Sequence, residues 1–141
     1  MKTVYVETSA IVTWLLKEPV REEISAALDM PSRICSSALT RVEAERAINR
    51  GIPAGSWTAA EAAGLVALLD ELLREWVLAE VHPNVRRRAG RPFPAEPVRT
   101  LEAIHLATAL EFQTLYPEVS VLTLDRRILA NLVPLGLRSA L

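Results

Sequence analysis

The sequence predicts an α/β fold, a three-layer α/β/α sandwich around a central parallel sheet of four to five strands. Short apolar runs rich in β-branched residues lack polar alternation, as in strands buried on both faces. These runs alternate along the chain with segments of helical periodicity, the pattern of parallel α/β folds. Half of the 141 residues are hydrophobic, enough to supply a substantial core. We therefore expect residues 1–141 to form a single domain.

The first strand is predicted over 3–6 and ends at an acid, Glu7. Thr8 and Ser9 follow it as good N-caps for a helix over 9–16. Open α/β sheets place their ligand sites where a strand ends and a helix begins. Glu7 is therefore the first candidate site residue.

Turn residues and periodicity place the remaining elements. Further strands are predicted over 33–36, 77–81, 119–124 and 134–137. Further helices are predicted over 20–28, 38–49, 58–76, 84–89, 98–115 and 126–132. Pro19 is expected in the first turn of the first of these helices, Ser37 is expected to cap the second, and Gly51 to follow it. Three prolines between 91 and 97 indicate a loop.

Composition excludes several classes of protein. The chain has 16 Lys and Arg against 17 Asp and Glu, a net charge of −1, so overall charge favours neither nucleic acid nor membrane. Its single cysteine, Cys35, cannot form an internal disulfide and is expected to be buried. No Cys and His spacing suggests zinc, and no glycine-rich loop follows a strand as in nucleotide-binding folds. Without an apolar run of about 20 residues or a signal-peptide pattern, we expect a soluble, cytoplasmic protein with no membrane contact.

Four acids are candidates for chemistry. Glu7 and Asp125 follow predicted strands, while Glu43 and Glu102 lie early in predicted helices. Each has a simpler interpretation on its own, because Glu43 fits an exposed helix acid, Glu102 a pair with Arg99, and Asp125 a helix cap. Glu7 is the hardest to explain in this way, since the end of a buried strand is a costly place for an unpaired charge.

Together the four acids indicate a metal site. Carboxylates that meet at one edge of a sheet repel one another, and a divalent cation removes that repulsion. A set of oxygen ligands without Cys or His favours Mg²⁺ or Mn²⁺ over zinc. Thr8, Ser9 and Thr123 lie beside the strand-end acids, where they can hydrogen-bond ligands or water, or serve only as caps and strand residues. His105 fits a hydrogen-bonded structural histidine better than a general base.

At this point four segments carry a resemblance. They read VYVETSA at 4–10, SSALTRVE at 36–43, RTLEAIHLATA at 99–109 and LTLD at 122–125. The chain resembles the PIN-domain family over essentially its whole length, and within it the VapC toxins of bacterial and archaeal toxin–antitoxin pairs. The resemblance implies a Mg²⁺- or Mn²⁺-dependent endoribonuclease, usually a homodimer, that a small VapB-type antitoxin neutralises. It also implies that the catalytic and metal-binding residues are Glu7, Glu43, Glu102 and Asp125.

Two of these positions depart from the family pattern, which normally has Asp where this chain has Glu7 and Glu102. The longer side chain adds roughly 1.3–1.5 Å of reach and one rotatable bond. A second hypothesis follows, a catalytically weakened PIN domain that acts mainly as an antitoxin- or RNA-binding module. A receiver-like phosphoacceptor domain is disfavoured, because the chain lacks the paired acids and the lysine which that class needs.

Binding of RNA requires cations near the acids. The candidates are Arg41, Arg46, Arg99 and Arg126, although charged runs are more often only a solvated surface. The apolar face of the predicted helix over 58–76 is expected in the core, with a dimer or antitoxin groove as the alternative.

Overall fold

The computed structural model describes residues 2–141 and contains a five-stranded sheet with seven α-helices in that part of the chain. The strands are β1 Thr3–Val6, β2 Arg33–Ser37, β3 Val77–Ala79, β4 Ser120–Leu122 and β5 Arg138–Ser139. The helices are α1 Thr8–Leu15, α2 Arg21–Asp29, α3 Ala38–Arg50, α4 Ala59–Arg74, α5 Pro83–Ala89, α6 Thr100–Leu115 and α7 Arg126–Leu132. None of these helices is long and apolar enough to cross a membrane.

The sheet is parallel throughout and has the strand order β3-β2-β1-β4-β5. In the centre Tyr5 of β1 lies opposite Cys35 of β2 on one side and Val121 of β4 on the other. The chain builds outward from β1 to β3 and then crosses to β4 on the other side of β1. Beside β1 the strand order therefore reverses, and this switch point is where open α/β sheets bind ligands.

Side chains of β1 alternate between two apolar cores, one on each face of the sheet. Val4 and Val6 pack with residues of α1 to α4, whereas Tyr5 packs with residues of α5 to α7. All three are fully buried. The predicted three-layer α/β/α sandwich with a parallel sheet is confirmed, and the sheet has five strands.

Local sequence explains where several helices begin. The hydroxyl of Ser37 accepts from the backbone N–H of Leu39 at 3.1 Å, so the predicted cap of α3 is confirmed. Pro19 is not in the first turn of α2, contrary to the prediction. The helix begins at Arg21, and Val20 before it adopts a left-handed conformation with φ of 65°.

The strand predicted over 134–137 is wrong. Val133–Leu135 forms a 3₁₀ turn, Gly136 follows with φ of 76°, and β5 begins only at Arg138. Proline at position 134 has no N–H to donate to a sheet, and the left-handed glycine reverses the chain. Leu137, which suggested a strand, is buried against α7 and the sheet instead.

Candidate active site

The four acids selected from the sequence line one cavity of about 410 Å³. Glu7 follows β1 directly, Asp125 follows β4 after two residues, Glu43 lies in α3 and Glu102 in the first turn of α6. Because β1, β2 and β4 are adjacent and parallel, their carboxyl ends meet at the same edge of the sheet. The topology thus brings together side chains that are far apart in the sequence, since Glu7 and Asp125 are separated by 118 positions.

Glu7 is held by three donors on one carboxylate oxygen. Its Oε2 accepts from the backbone N–H of Ser9 at 3.1 Å, from the Ser9 hydroxyl at 2.5 Å and from the Thr123 hydroxyl at 2.7 Å. Glu7 is therefore the N-cap of α1, and the prediction that Thr8 or Ser9 would cap it is wrong. The Thr8 hydroxyl instead donates to Glu43, and the hydroxyls of Ser9 and Thr123 donate to Glu7.

Glu43 is also anchored through one oxygen. Its Oε1 accepts from Nε2 of His105 at 2.6 Å and from the Thr8 hydroxyl at 2.8 Å. Burial would raise the pKa of Glu43, but the hydrogen bond and charge of His105 and the hydrogen bond from Thr8 together hold it below its usual value. The carboxylate is thus kept ionised at neutral pH.

Asp125 and Glu102 make helix-terminal hydrogen bonds at the same cavity. Oδ1 of Asp125 accepts from the backbone N–H groups of Arg127 and Ile128 at 2.9 and 3.0 Å, so Asp125 caps α7. Glu102 accepts from the backbone N–H of Arg99 at 2.8 Å through Oε2. Its Oε1 lies 3.4 Å from Nη1 of Arg127, so the partner of this acid is Arg127, not the Arg99 guanidinium.

The donor chemistry of the cavity fits a hard divalent cation. Glu7, Glu43 and Asp125 each use one carboxylate oxygen in hydrogen bonds, and the other oxygen has no such bond to any of residues 2–141. In the same residues, however, no three His, Cys, Asp or Glu side chains are already arranged to hold an ion. Mutual repulsion keeps like charges apart, so a cation would have to draw the carboxylates together.

Comparison with known proteins agrees with this geometry. The family model described as PIN domain matches residues 4–132, more than nine-tenths of the sequence. The chain belongs to the PIN-domain family.

The curated relatives of this PIN domain include two proteins of Mycobacterium tuberculosis. Ribonuclease VapC35, in strains CDC 1551 / Oshkosh and H37Rv, is 32% identical over 127 residues, covering 89% of this chain and 86% of the relative. Ribonuclease VapC46 of strain H37Rv is 38% identical over 111 residues, covering 77% and 75%. The resemblance to VapC proteins that the sequence motifs carry is therefore confirmed.

The four candidate RNA-binding arginines of this PIN domain have different surroundings. Arg99 is exposed and lines the acid cavity, and Arg126 is exposed at the start of α7. Arg46 is exposed and lines a neighbouring groove of about 430 Å³ that shares Glu43 with the acid cavity. Arg41 is held in ion pairs with its helix neighbour Glu45 and with Asp70 of α4, so its guanidinium is already paired.

Sequence reasoning missed the contacts that two side chains make with the acids or their anchors. The hydroxyl of Tyr5 lies 2.7 Å from Nδ1 of His105, although a tyrosine in an apolar strand reads only as a core aromatic. Arg127 contacts Glu102, but nothing in the local pattern distinguishes it from Arg126. His105 is 2% exposed and hydrogen-bonded through both ring nitrogens, which fits the structural histidine expected there.

Proposed function

We propose that this PIN domain is a divalent-metal-dependent endoribonuclease that acts as the toxin of a VapBC-type toxin–antitoxin pair. One observation carries the proposal, namely that four acids from four elements line one cavity at the switch point of the sheet. The relatives named as VapC ribonucleases, which cover most of this chain, support the same activity.

In this mechanism Glu7, Glu43, Glu102 and Asp125 would hold Mg²⁺ or Mn²⁺ directly or through water. When bound, the ion would lower the pKa of a coordinated water and stabilise charge on the scissile phosphate. The chain itself supplies the orientation, because Ser9 and Thr123 fix Glu7, and Thr8 and His105 fix Glu43.

The RNA backbone would be attracted by arginines around the acids. Arg99 at the cavity and the exposed Arg46 and Arg126 beside it are suited to phosphate contacts. Arg41 is less available, since Glu45 and Asp70 neutralise it. Truncation of Arg99 or Arg46 is expected to weaken RNA binding in a salt-dependent way.

The activity is tested with purified protein, labelled RNA, and Mg²⁺ or Mn²⁺. The wild type is expected to cleave RNA and to stop when the metal is chelated. Glu43→Gln and Asp125→Asn keep the shape of each side chain and remove its charge. Each should lower the rate of RNA cleavage by more than the roughly 10- to 100-fold that loss of an outer-shell partner of a metal ligand causes. Glu45→Gln is the control, because Glu45 lies in the same helix and pairs with Arg41 away from the cavity. Cleavage that survives both acid substitutions or chelation would exclude this function.

A second candidate is a catalytically weakened PIN domain that mainly binds RNA or an antitoxin. Both oxygens of Glu102 accept hydrogen bonds, one from Arg99 and one from Arg127. Within residues 2–141, no group of three His, Cys, Asp or Glu side chains is arranged to hold a metal ion. Restoring the family's usual acid with Glu7→Asp and Glu102→Asp separates the two candidates. A large gain in cleavage would favour the weakened module, whereas full activity of the unchanged chain would favour the enzyme.

Partners and location follow from the same proposal. A VapB-type antitoxin and a homodimer are expected, and the half-buried residues Leu65 and Val66 of α4 offer apolar surface for contacts of this kind. Light scattering of the pure protein measures the dimer, and co-expression with a short neighbouring open reading frame measures antitoxin binding. Cytoplasmic location remains a prediction from the sequence.

A further inference from the structure

A line of hydrogen bonds runs from the core of the protein to the acid cavity. It begins at the hydroxyl of Tyr5 in β1, passes 2.7 Å to Nδ1 of His105 in α6, and continues 2.6 Å from Nε2 to Oε1 of Glu43 in α3. Tyr5 is fully buried, His105 is 2% exposed, and the side chain of Glu43 is 24% exposed at the cavity. The line thus joins three separate elements and ends on a site acid.

The chemistry of the groups fixes the direction of the bond to Glu43. A carboxylate only accepts, so Nε2 of His105 must donate to Glu43. A phenol can both donate and accept, so the Tyr5 hydroxyl donates to Nδ1 of a neutral ring and accepts from Nδ1–H of a protonated one, and the 2.7 Å bond forms in either state. Every polar atom of the line then has a partner, and within residues 2–141 no buried side-chain nitrogen or oxygen lacks one.

The anchor leaves one oxygen of Glu43 for the cavity. His105 and Thr8 both donate to Oε1, while Oε2 has no hydrogen bond to any of residues 2–141. A glutamate side chain has several rotatable bonds, and a free one would have to lose that freedom on binding an ion. A fixed carboxylate avoids this cost, as outer-shell partners of metal ligands generally do.

We propose that His105, supported from behind by Tyr5, is a positioning residue that holds Glu43 ready for the metal. The inference rests on the proposed metal-dependent function and deepens it. Neither residue touches the substrate in this role, because both act only through the carboxylate of Glu43. Weakening the line is therefore expected to lower metal affinity by about 10- to 100-fold while the protein stays folded.

Two substitutions at position 105 separate positioning from simple packing. In His105→Gln the side-chain amide nitrogen can take the place of Nε2 and still donate to Glu43, whereas in His105→Asn it ends too short. Titration with Mn²⁺, followed by calorimetry or by electron paramagnetic resonance, should give near wild-type affinity for the Gln variant and a 10- to 100-fold loss for the Asn variant. Equal affinities of two folded variants would overturn the proposal.

A change at Tyr5 provides an independent measurement if His105→Asn fails to fold. Tyr5→Phe removes only the hydroxyl that supports His105, and a loss of Mn²⁺ affinity of a few-fold or more is expected. Tyr116→Phe is the matched control, because Tyr116 stacks on Phe112 and takes no part in the line. An unchanged affinity in folded Tyr5→Phe would contradict the inference.

A metal-free readout separates failure of the inference from failure of the proposed function. If wild-type protein neither binds Mn²⁺ nor cleaves RNA, the proposed function fails whatever the variants do. Crystal structures of the metal-free Gln and Asn variants at position 105, or of Tyr5→Phe where Asn does not fold, still test positioning. We expect Glu43 to keep its place in the Gln variant and to become disordered in the others. An ordered, unmoved Glu43 in all of them would exclude a positioning role.

Discussion

Each acid of the site is defined by the donors around it more than by its own residue type. Glu7 has one more methylene than aspartate, yet Ser9 and Thr123 place three donors on its Oε2. These bonds restrict the extra torsion that glutamate brings, so a longer side chain need not be a looser one. Glu102 is different, because Arg127 competes with any cation for its Oε1.

Removal of the Arg127 side chain should strengthen metal binding. Arg127→Leu keeps the backbone N–H that Asp125 accepts and deletes the charge beside Glu102. Since this ion pair is partly exposed, it contributes about 0.2–1 kcal/mol, and we expect the dissociation constant for Mn²⁺, measured by calorimetry, to fall by about 1.4- to fivefold. Arg74→Leu, at the exposed end of α4, is the charge-matched control. Weaker binding in Arg127→Leu would show that the guanidinium assists the site.

Cys35 should make the protein sensitive to alkali. The thiol is free and fully buried, and burial raises its pKa to about 12. Between its usual value near 9 and about 12, the unfolded chain has lost this proton and the folded chain has kept it, so stability falls as pH rises. Between pH 8 and pH 10, we expect the free energy of unfolding measured in urea to fall by about 1 kcal/mol less in Cys35→Ala than in the wild type. Buried Tyr5 lowers stability at high pH in both proteins alike, so it does not affect the comparison. Parallel profiles of stability against pH for the two proteins would contradict the prediction.

At the scale of elements, helix ends decide how the site residues are presented. Glu7 and Asp125 cap α1 and α7, and Glu102 accepts from the first N–H before α6. Capping therefore coexists with a place in the cavity, since each cap occupies only one of the two carboxylate oxygens. Gly51 follows α3 as predicted, but its φ of −68° is an ordinary helical value. Space is what requires glycine there, because an added Cβ would lie 2.1 Å from Cζ2 of Trp57.

Two glycine substitutions should have opposite effects on stability. Gly51→Ala forces the Trp57 indole from its place, although its Nε1 donates to the carbonyl of Ile48 at 2.8 Å, so we expect a loss of about 1–3 kcal/mol. Gly64→Ala lies within α4, and apart from its chain neighbours and the backbone of its own helix no atom lies within 4 Å of the new Cβ, so a gain of about 0.5–1 kcal/mol is expected from helix propensity. Urea denaturation measures both. A destabilised Gly64→Ala would contradict the expected gain.

At the scale of the whole molecule, the crossover from β3 to β4 assembles the site. It places β4 beside β1, so that Asp125 joins Glu7 at one edge, while α3 and α6 bring Glu43 and Glu102. A cation that bridges these elements would bind only the folded chain. Metal should therefore stabilise the protein as a whole.

Removal of metal should lower the melting temperature. With free Mn²⁺ at 100 times its dissociation constant, the gain is about 2.7 kcal/mol, a shift of several degrees in thermal unfolding followed by circular dichroism. Addition of EDTA should reverse the shift. Asp125→Asn, which keeps the cap of α7 and loses the charge, should respond much less. A metal-induced shift of equal size in that variant would place the ion elsewhere.

The sequence by itself determined most of the elements and the acidic residues that line the cavity. Thr3–Val6 and Arg126–Leu132 are predicted to the residue, because apolar period and capping residues are local signals. The same signals failed near the C-terminus, because Leu137 packs in the core without being part of a strand. Four acids at strand ends and helix starts were enough to predict a shared cavity, since parallel strands all end at one edge.

Only the tertiary structure decided how each acid is held. The bonds of His105 to Tyr5 and Glu43 join three elements, and Arg127 reaches Glu102 from another helix. Such contacts depend on the angle and separation of packed helices, which no local pattern encodes. The sequence thus identifies the acids, whereas the packing of the helices decides which of their oxygens remain available to a ligand.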